Sequence, residues 1–228
     1  VWQPAGKDSS PAVIMIHGGC WQTSIAERDL MNWIAADLKQ PNVGVWNIEY
    51  RGVDADGGYP GTYEDGAKAA DLFREKASEY GLQTEQVIAI GHSAGGHLAL
   101  WLGNRPALPV SSPLRGENPI AIDLAISQGG LPGLKAGSQR VGHACGTSAP
   151  RQMSGPDLTQ TSPPEMKPGA ARQRLFHNTL DLIAPPAFAR AYLAKIAGKN
   201  VDGERVETKA ADHVELRQTD RKSGSTPW

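Results

Sequence analysis

The feature that most constrains this chain is a glycine-rich turn between a strand pattern and a helix pattern. An apolar, β-branched run at 87–90 leads into GHSAGG at residues 91–96, and an apolar pattern of helical spacing follows. This order predicts a sharp strand–turn–helix, hereafter the serine turn, with Ser93 at its apex. Gly91 and Gly95 leave room for the strand and the helix to approach, while a strained backbone presents the Ser93 hydroxyl.

A second glycine-rich turn, HGGCW at residues 17–21, follows an earlier strand pattern. Attack on an ester carbonyl builds negative charge on its oxygen, and one backbone N–H aimed at that oxygen lowers the barrier by about 3 kcal/mol. We expect the amides of Gly19, Cys20 and Ala94 to supply such donors, with Gly18 making the turn. Without the serine turn, this run, hereafter the oxyanion loop, would indicate only a tight turn.

Two further side chains are needed before a serine can act as a nucleophile: a histidine that takes its proton and a carboxylate that fixes the histidine. His213 follows the last strand pattern and is the candidate base, and Asp181, after the preceding strand pattern, is the candidate acid. The rival candidates are His177 for the base and, with less support, Asp157 for the acid. His92 flanks the serine but is expected to point elsewhere.

The two glycine-rich runs resemble the paired signatures of α/β-hydrolase-fold esterases, most of all those of the H-G-G-x-W group, which holds small carboxylesterases and arylformamidases. The order Ser93, Asp181, His213 is also the order of nucleophile, acid and base in that fold. The resemblance covers nearly everything except residues 129–170. Further matching segments are VWNIEYR at 45–51, YPGTYED at 59–65, DLIAPP at 181–186 and ADH at 211–213.

The resemblance implies a serine hydrolase that cleaves small carboxylic esters through an acyl-enzyme, with those three residues as its triad and without a cofactor. An arylformamidase acting on N-formylkynurenine-like substrates is the alternative within the same chemistry. A catalytically silent binding module is the alternative from a different class, because fold alone does not prove function.

Three residues are candidates for lining a substrate pocket: Gly18, Trp21 and His143. Trp21 is explained equally well by packing on the strand beneath it, and His143 by simple exposure. Of the other histidines, His17 is expected to hydrogen-bond the backbone of the oxyanion loop, and His97 is expected to pack beneath the serine turn.

The chain departs from the family pattern in three places. Family members usually carry Gly-Thr-x-Asp where this chain has NTLD at 178–181; because asparagine tolerates a left-handed backbone, the turn is expected to survive. The histidine loop usually contains a glycine, whereas Ala210 and Ala211 stand here, which would set His213 differently or more rigidly. The two antiparallel strands that often begin the fold are absent or lie outside the sequence, leaving one sheet edge barer.

Strand and helix patterns alternate along the chain, which predicts an α/β fold with a mostly parallel sheet and helices on both faces. A length of 228 residues suits one such domain, so we expect a single domain over 1–228. Arg51 and Asp65 are expected to form a structural ion pair. The expected strands lie near 12–16, 43–49, 86–91, 121–127, 172–177 and 203–208. The expected helices lie near 25–39, 62–80, 94–103 and 186–198, with a last one after His213.

The stretch 129–170, hereafter the cover segment, is dense in Gly, Pro, Ser and Thr and lacks apolar periodicity. We expect a short, irregular, mobile lid above the catalytic face that shapes the acyl or alcohol pocket, because long loops in compact domains are usually functional or disordered. A surface loop without a role is the alternative, since loops tolerate insertions.

The two cysteines are Cys20, in the oxyanion loop, and Cys145, in the cover segment. A disulfide between them would pin the cover segment, but free thiols are favoured because two cysteines make no disulfide framework and indicate a reducing compartment. A cysteine pair without convergent histidines predicts no zinc site, and the sequence contains no phosphate or dinucleotide motif. Neither a metal nor a cofactor is therefore expected.

Charge and hydropathy argue against nucleic-acid and membrane partners, while the resemblance implies a small-molecule ester as the substrate. The net charge is −1 and no stretch concentrates Lys and Arg, so we expect no attraction to nucleic acid or to anionic membranes. The longest apolar runs are strand-sized, far short of the roughly 20 residues of a membrane span. With no visible signal peptide and with reduced cysteines, a cytoplasmic location is expected. The oligomeric state stays open.

Overall fold

The computed structural model describes residues 1–4, 10–39, 42–135, 138–208 and 212–213. Its six strands are β1 (Ser10–Ile16), β2 (Gly44–Ile48), β3 (Leu82–His92), β4 (Leu124–Gln128), β5 (Arg172–Asn178) and β6 (Gly203–Thr208). They form one sheet in the order β2-β1-β3-β4-β5-β6, in which every neighbouring pair is parallel. The predicted parallel sheet is therefore confirmed.

Helices supply the crossover connections that parallel strands require. They are α1 (Asn32–Lys39), α2 (Gly61–Lys76), α3 (Ala94–Asn104), α4 (Ser138–Cys145), α5 (Ser148–Ser154), α6 (Leu158–Thr161) and α7 (Pro186–Ile196). The four helices expected before His213 are present, and the one expected after it lies outside the described residues. Within the described ranges, no helix combines the length and the apolar character needed to cross a bilayer.

Both faces of the sheet are covered by helices, as the uninterrupted apolar sequence of its central strands requires. In β1, the successive residues Ile14, Met15 and Ile16 are all 0 % exposed, although neighbours in a strand point to opposite faces. Ile14 and Ile16 belong to a large core cluster with residues of α2, α3 and α7. Met15 belongs to a second cluster with Met31 and with Ile34 of α1. The expected two-faced arrangement is confirmed.

The edge of the sheet at β2 carries little antiparallel structure. Among the described residues, antiparallel pairing in the sheet is limited to one bridge, in which Trp2 and Val45 exchange main-chain hydrogen bonds of 2.8 and 3.0 Å. Just beyond β2, the Arg51 guanidinium binds both Asp65 carboxylate oxygens at 2.8 and 3.0 Å, which joins this segment to α2. The predicted structural ion pair is thus confirmed.

The cover segment is not irregular, and the sequence-based prediction was wrong on this point. Much of its described part consists of α4, α5 and α6, and Val141, Ala149 and Met153 are buried in the large core cluster. Two glycines of the segment directly follow helices, with Gly146 after α4 and Gly155 after α5. Helices of only four to eight residues are too short to display a clear apolar period, which explains the error.

The parallel arrangement brings the carboxyl ends of the strands together at one edge of the sheet, where α/β proteins place their sites. The oxyanion loop follows the end of β1, and Ser93 directly follows the end of β3. Asp181 lies shortly after the end of β5. Segments that are far apart in the sequence therefore leave the sheet at the same edge.

Candidate active site

The serine turn has the predicted strand–turn–helix geometry, with Ser93 between β3 and α3. Ser93 has φ 53° and ψ −116°, a strained conformation for a residue with a side chain. Its N–H donates to the Gln128 carbonyl at 2.9 Å, and its own carbonyl accepts from the Gly96 N–H at 3.0 Å. These bonds hold the strained residue in place at the first turn of the helix.

Glycines allow the helix of the serine turn to lie directly against the strands. A Cβ atom on Gly91 would lie 2.1 Å from the Gly95 carbonyl oxygen. A Cβ atom on Gly95 would lie 2.2 Å from the Ile16 carbonyl oxygen and 2.4 Å from that of His17. All three distances are far inside van der Waals contact, so the close approach predicted from the glycine spacing is confirmed.

The oxyanion loop lies against the serine turn. A Cβ atom on Gly18 would meet Ser93 Cβ at 3.2 Å and His92 Nδ1 at 2.9 Å, so only a glycine fits between them. The next three residues all have positive φ, namely Gly19 (97°), Cys20 (57°) and Trp21 (55°). Two of these three carry side chains, which marks the loop as strained next to the candidate nucleophile.

A buried network supports the oxyanion loop from below. The His17 ring bonds the Gly18 carbonyl through Nδ1 at 2.7 Å and the Glu49 carboxylate through Nε2 at 2.5 Å, which confirms the expected backbone contact. The ring also stacks on Tyr50 with a centroid distance of 4.2 Å. Burial raises the pKa of Glu49, but hydrogen bonds from His17 and from the Arg28 N–H outweigh it and lower the pKa below the usual value. Glu49 therefore stays ionised beneath the loop.

The structure brings the candidate acid and base together. His213 Nδ1 lies 2.7 Å from Asp181 Oδ2, while Asp181 Oδ1 accepts the N–H groups of Ile183 and Ala184 at 2.9 and 2.7 Å. Burial raises the pKa of the Asp181 carboxyl, but the bonds from His213 and the two N–H groups lower it overall. An ionised Asp181 holds the proton of His213 on Nδ1, which leaves Nε2 able to accept one.

His92 links this pair to the serine turn. Its Nε2 donates to the His213 carbonyl at 2.9 Å, and the two rings lie 4.7 Å apart between centroids. His92 immediately precedes Ser93, so this bond brings the main chain of the candidate base to the turn that carries the candidate nucleophile. The sequence analysis missed the contact because its partners are 121 residues apart.

Asn178 supports the same loop in a way that the sequence analysis did not anticipate. It is not among the described non-glycine residues with positive φ, so the turn before Asp181 forms without a left-handed backbone at this position. Instead, its side-chain oxygen accepts from the Thr208 hydroxyl, and its Nδ2 donates to the Asp212 carbonyl at 3.0 Å. Ala210 and Ala211, expected to affect this loop, lie outside the described residues.

The rival acid and base are engaged elsewhere. His177 is 0 % exposed, donates from Nδ1 to the Ala184 carbonyl at 2.8 Å, and has a pKa lowered by burial. Asp157 begins α6 and accepts the Thr159 N–H at 2.9 Å. The structure therefore pairs Asp181 with His213 and assigns Asp157 a capping role.

A disulfide joins Cys20 to Cys145, which corrects the expectation of free thiols. The two residues are 125 positions apart, and their proximity depends on how α4 packs, which the sequence pattern did not reveal. Gln22 strengthens the link by donating to the Cys145 carbonyl at 2.9 Å. Because disulfides persist in oxidising environments, the argument from reduced cysteines to a cytoplasmic location is lost.

For Trp21 and His143, the structure supports the alternatives to a place in the substrate pocket. Trp21 is 1 % exposed and lies edge-on to His97, with ring centroids 5.4 Å apart, so it packs in the core. His97 packs beneath the serine turn as predicted and donates to the Thr161 carbonyl at 2.9 Å. His143 is exposed on α4. Among the described residues, no three His, Cys, Asp or Glu side chains are grouped so that they could hold a metal ion.

Comparison with protein families gives a match to the family model BD-FAE over residues 1–113. This range includes both the oxyanion loop and the serine turn. Comparison with curated protein sequences found no match.

Several solved structures are similar to the chain. Esterase 2 from the Planctomycetes species Thermogutta terrifontis, with propionate bound, has a TM-score of 0.69 at 20 % identity, covering 93 % of this chain and 78 % of that chain. Esterase B from Lactobacillus rhamnosis has a TM-score of 0.79 at 19 % identity, covering 94 % and 72 %. The acetyl ester-xyloside bifunctional hydrolase from Caldicellulosiruptor lactoaceticus has a TM-score of 0.71 at 15 % identity, covering 97 % and 80 %.

These likenesses confirm the resemblance to α/β-hydrolase-fold esterases, while the assignment to the H-G-G-x-W group stays a prediction. At identities of 20 % or less, what they share with this chain is its architecture. The parallel six-stranded sheet, the serine turn after β3 and these neighbours together show that the chain belongs to the α/β-hydrolase fold.

Proposed function

We propose that this chain is a carboxylesterase-type serine hydrolase, which cleaves small carboxylic esters through an acyl-enzyme. The observation that carries the proposal is the 2.7 Å hydrogen bond between His213 Nδ1 and the buried Asp181 carboxylate, at the sheet edge where Ser93 also lies. An imidazole held in this way presents its unprotonated Nε2 as a base. The esterases among the structural neighbours support the same chemistry.

In the first half of the reaction, His213 Nε2 takes the proton of the Ser93 hydroxyl while the hydroxyl oxygen bonds to the carbonyl carbon. The carbonyl electron pair moves onto its oxygen, where the amides of Gly19, Cys20 and Ala94 donate hydrogen bonds. Each such donor lowers the barrier by about 3 kcal/mol. The intermediate then expels the alcohol, which takes its proton from the His213 imidazolium.

In the second half, water attacks the acyl-enzyme and gives a proton to His213. The second intermediate releases the carboxylic acid, and the Ser93 oxygen recovers its proton from His213. Asp181 stays ionised throughout and stabilises the imidazolium each time it forms. Every step uses the chain's own groups, water and the ester.

We further propose that the preferred acyl groups are short. One neighbour binds propionate, another is an acetyl ester hydrolase, and a third, esterase B, was inhibited with a C4-C4 tributyrin phosphonate. In this chain the Cys20–Cys145 disulfide attaches the cover segment to the oxyanion loop. That attachment supports a role for the segment, within a single domain, as a cover that limits the acyl pocket.

A substrate panel tests the reaction class. We expect kcat/KM to be highest for p-nitrophenyl acetate, propionate or butyrate, lower for octanoate, and lowest for an aryl formamide. A higher kcat/KM for the formamide than for the esters would identify the chain as an arylformamidase instead of an esterase. No turnover of any substrate would indicate a binding module.

Labelling with an alkyl fluorophosphonate tests the nucleophile. We expect a single adduct on the peptide that contains Ser93, with activity lost in proportion to labelling. The Ser93→Ala variant should neither be labelled nor turn over ester, with kcat lower by about 10⁶-fold, while its unfolding curve stays close to that of the wild type. Labelling of the variant at the wild-type rate would show that another residue is the nucleophile.

A further inference from the structure

We propose that His92 and Asn178 are positioning residues that clamp the main chain of the base, an inference that rests on the proposed function. His92 Nε2 donates to the His213 carbonyl at 2.9 Å, and Asn178 Nδ2 donates to the Asp212 carbonyl at 3.0 Å. These two carbonyls belong to the peptide groups on either side of the His213 Cα atom. Since each peptide group is planar, holding both of them fixes the direction of the His213 Cα–Cβ bond.

His92 is itself held firmly enough to act as an anchor. It is the last residue of β3, is 4 % exposed, and pairs in register with Gln128 of β4. On another side, its ring lies so close to Gly18 that a Cβ atom there would be 2.9 Å from Nδ1. One side chain thus touches the oxyanion loop, adjoins the nucleophile and holds the base.

Asn178 is anchored in an equivalent way from the other side. It is the last residue of β5, is 1 % exposed, and pairs in register with Thr208 at the end of β6. The Thr208 hydroxyl donates to its side-chain oxygen, which directs the amide nitrogen toward Asp212. The family pattern has a glycine at this position, which has no side chain with which to make this contact.

The clamp matters because the Asp181 bond alone does not place the ring. A hydrogen bond at Nδ1 limits rotation of the imidazole, but the position of Nε2 also depends on where the Cα–Cβ bond points. A misplacement of about 1 Å at a reacting group can cost about 10²-fold in rate. The two carbonyl contacts, made from the ends of β3 and β5, supply the missing restraint.

Variants at His92 test the first contact. We expect His92→Leu to lower kcat for p-nitrophenyl butyrate by about 10²-fold, with KM changed by less than about threefold. His92→Gln, whose amide can donate to the same carbonyl, should recover most of the lost kcat. The Val110→Ser variant serves as the control and should keep the wild-type kcat and KM. The Val110 side chain is 86 % exposed and lies between α3 and β4.

A variant at Asn178 tests the second contact and keeps the proposal testable if His92→Leu does not fold. Asn178→Asp keeps an acceptor for Thr208 but loses the donor to Asp212, so kcat should fall about tenfold. Both contacts restrain one loop. The fold-loss of kcat in the double variant, His92→Leu with Asn178→Asp, should therefore differ from the product of the losses in the two single variants.

The low-field proton resonance of the His213 Nδ1–H bonded to Asp181 gives a readout that a merely structural role would not change. It should shift or broaden in folded His92→Leu and return in His92→Gln. Wild-type kcat and an unchanged resonance in both His92→Leu and Asn178→Asp would overturn the clamp. Such a result alongside an inactive Ser93→Ala variant would leave the proposed function intact, whereas an active Ser93→Ala variant would overturn that function itself.

Discussion

The serine turn and the loop that carries His213 reach the same edge of the sheet by opposite means. The serine turn is built from six successive residues, and its shape follows from close backbone contacts that leave no space for a Cβ atom at Gly91 or Gly95. The described part of the His213 loop is held by side chains that are distant in the sequence: Asp181 binds its ring, while Asn178 and His92 bind its carbonyls.

Because of this difference, changes in the two regions should have different effects, one mainly on folding and the other mainly on activity. Packing of backbone against backbone offers no second arrangement, so a side chain added at Gly91 or Gly95 should affect whether the protein folds. Hydrogen bonds at the end of a loop contribute only about 1 kcal/mol each to stability, yet in the proposed mechanism they set the position of the proton acceptor, His213. Changes there should lower activity in a protein that remains folded.

Among the variants that test this comparison, the largest expected effect comes from the His213 side. Asp181→Asn keeps the size of the side chain but no longer favours the proton on His213 Nδ1, so kcat should fall by about 10⁴-fold. Ester hydrolysis with saturating substrate measures this loss, and circular dichroism checks that the fold is retained. A variant that unfolds, or one that keeps its kcat, would remove the contrast between the two regions.

The serine turn should respond in the opposite manner. In Gly95→Ala the new Cβ atom would lie 2.2 Å from the Ile16 carbonyl oxygen, so the free energy of unfolding should fall by about 4 kcal/mol or more. Gly66→Ala is the matched control, because a Cβ atom at that position of α2 has no neighbour within 4 Å and should stabilise the helix by up to about 1 kcal/mol. Urea unfolding compares them, and equal stabilities would contradict the steric account.

A somewhat smaller effect is expected at the disulfide between the oxyanion loop and α4. Removing a crosslink that spans 125 positions should lower the free energy of unfolding by about 4 kcal/mol. The double variant Cys20→Ser, Cys145→Ser should show this loss and should not respond to dithiothreitol. If reduction of the wild type leaves both its stability and its kcat unchanged, the crosslink has no part in holding the loop.

The smallest effect concerns His97 beneath the serine turn. Burial lowers the pKa of His97 to about 4, whereas in the unfolded chain it is about 6.5. Between these values the unfolded chain binds the extra proton, so stability falls as the pH is lowered through this window. At about 1.4 kcal/mol per pH unit, the loss amounts to about 3 kcal/mol.

Urea unfolding between pH 7 and pH 4 measures this loss in the free energy of unfolding. His97→Gln keeps a donor for the Thr161 carbonyl but does not titrate, so its stability should decline less steeply with acid. Parallel curves for the two proteins would mean that His97 is not the group responsible.

Local sequence patterns predicted the parts of the molecule that depend on local contacts. The serine turn, the six strands and the helices α1, α2, α3 and α7 follow from apolar periodicity and glycine spacing. The Asp181–His213 pairing was also predicted, because chain order and strand ends place both residues at one edge. The contacts of His92 and Asn178 and the Cys20–Cys145 disulfide depend on the spatial order of the strands and on the packing of α4. No window of sequence contains that information.

The parallel sheet has a practical consequence for handling the protein. All strands run in one direction, so their amino ends lie away from the loops of the candidate active site. At the start of β3 the side chains of Thr84 and Glu85 are exposed. A tether attached at Glu85 would anchor the molecule to a solid support with its candidate active site facing the liquid.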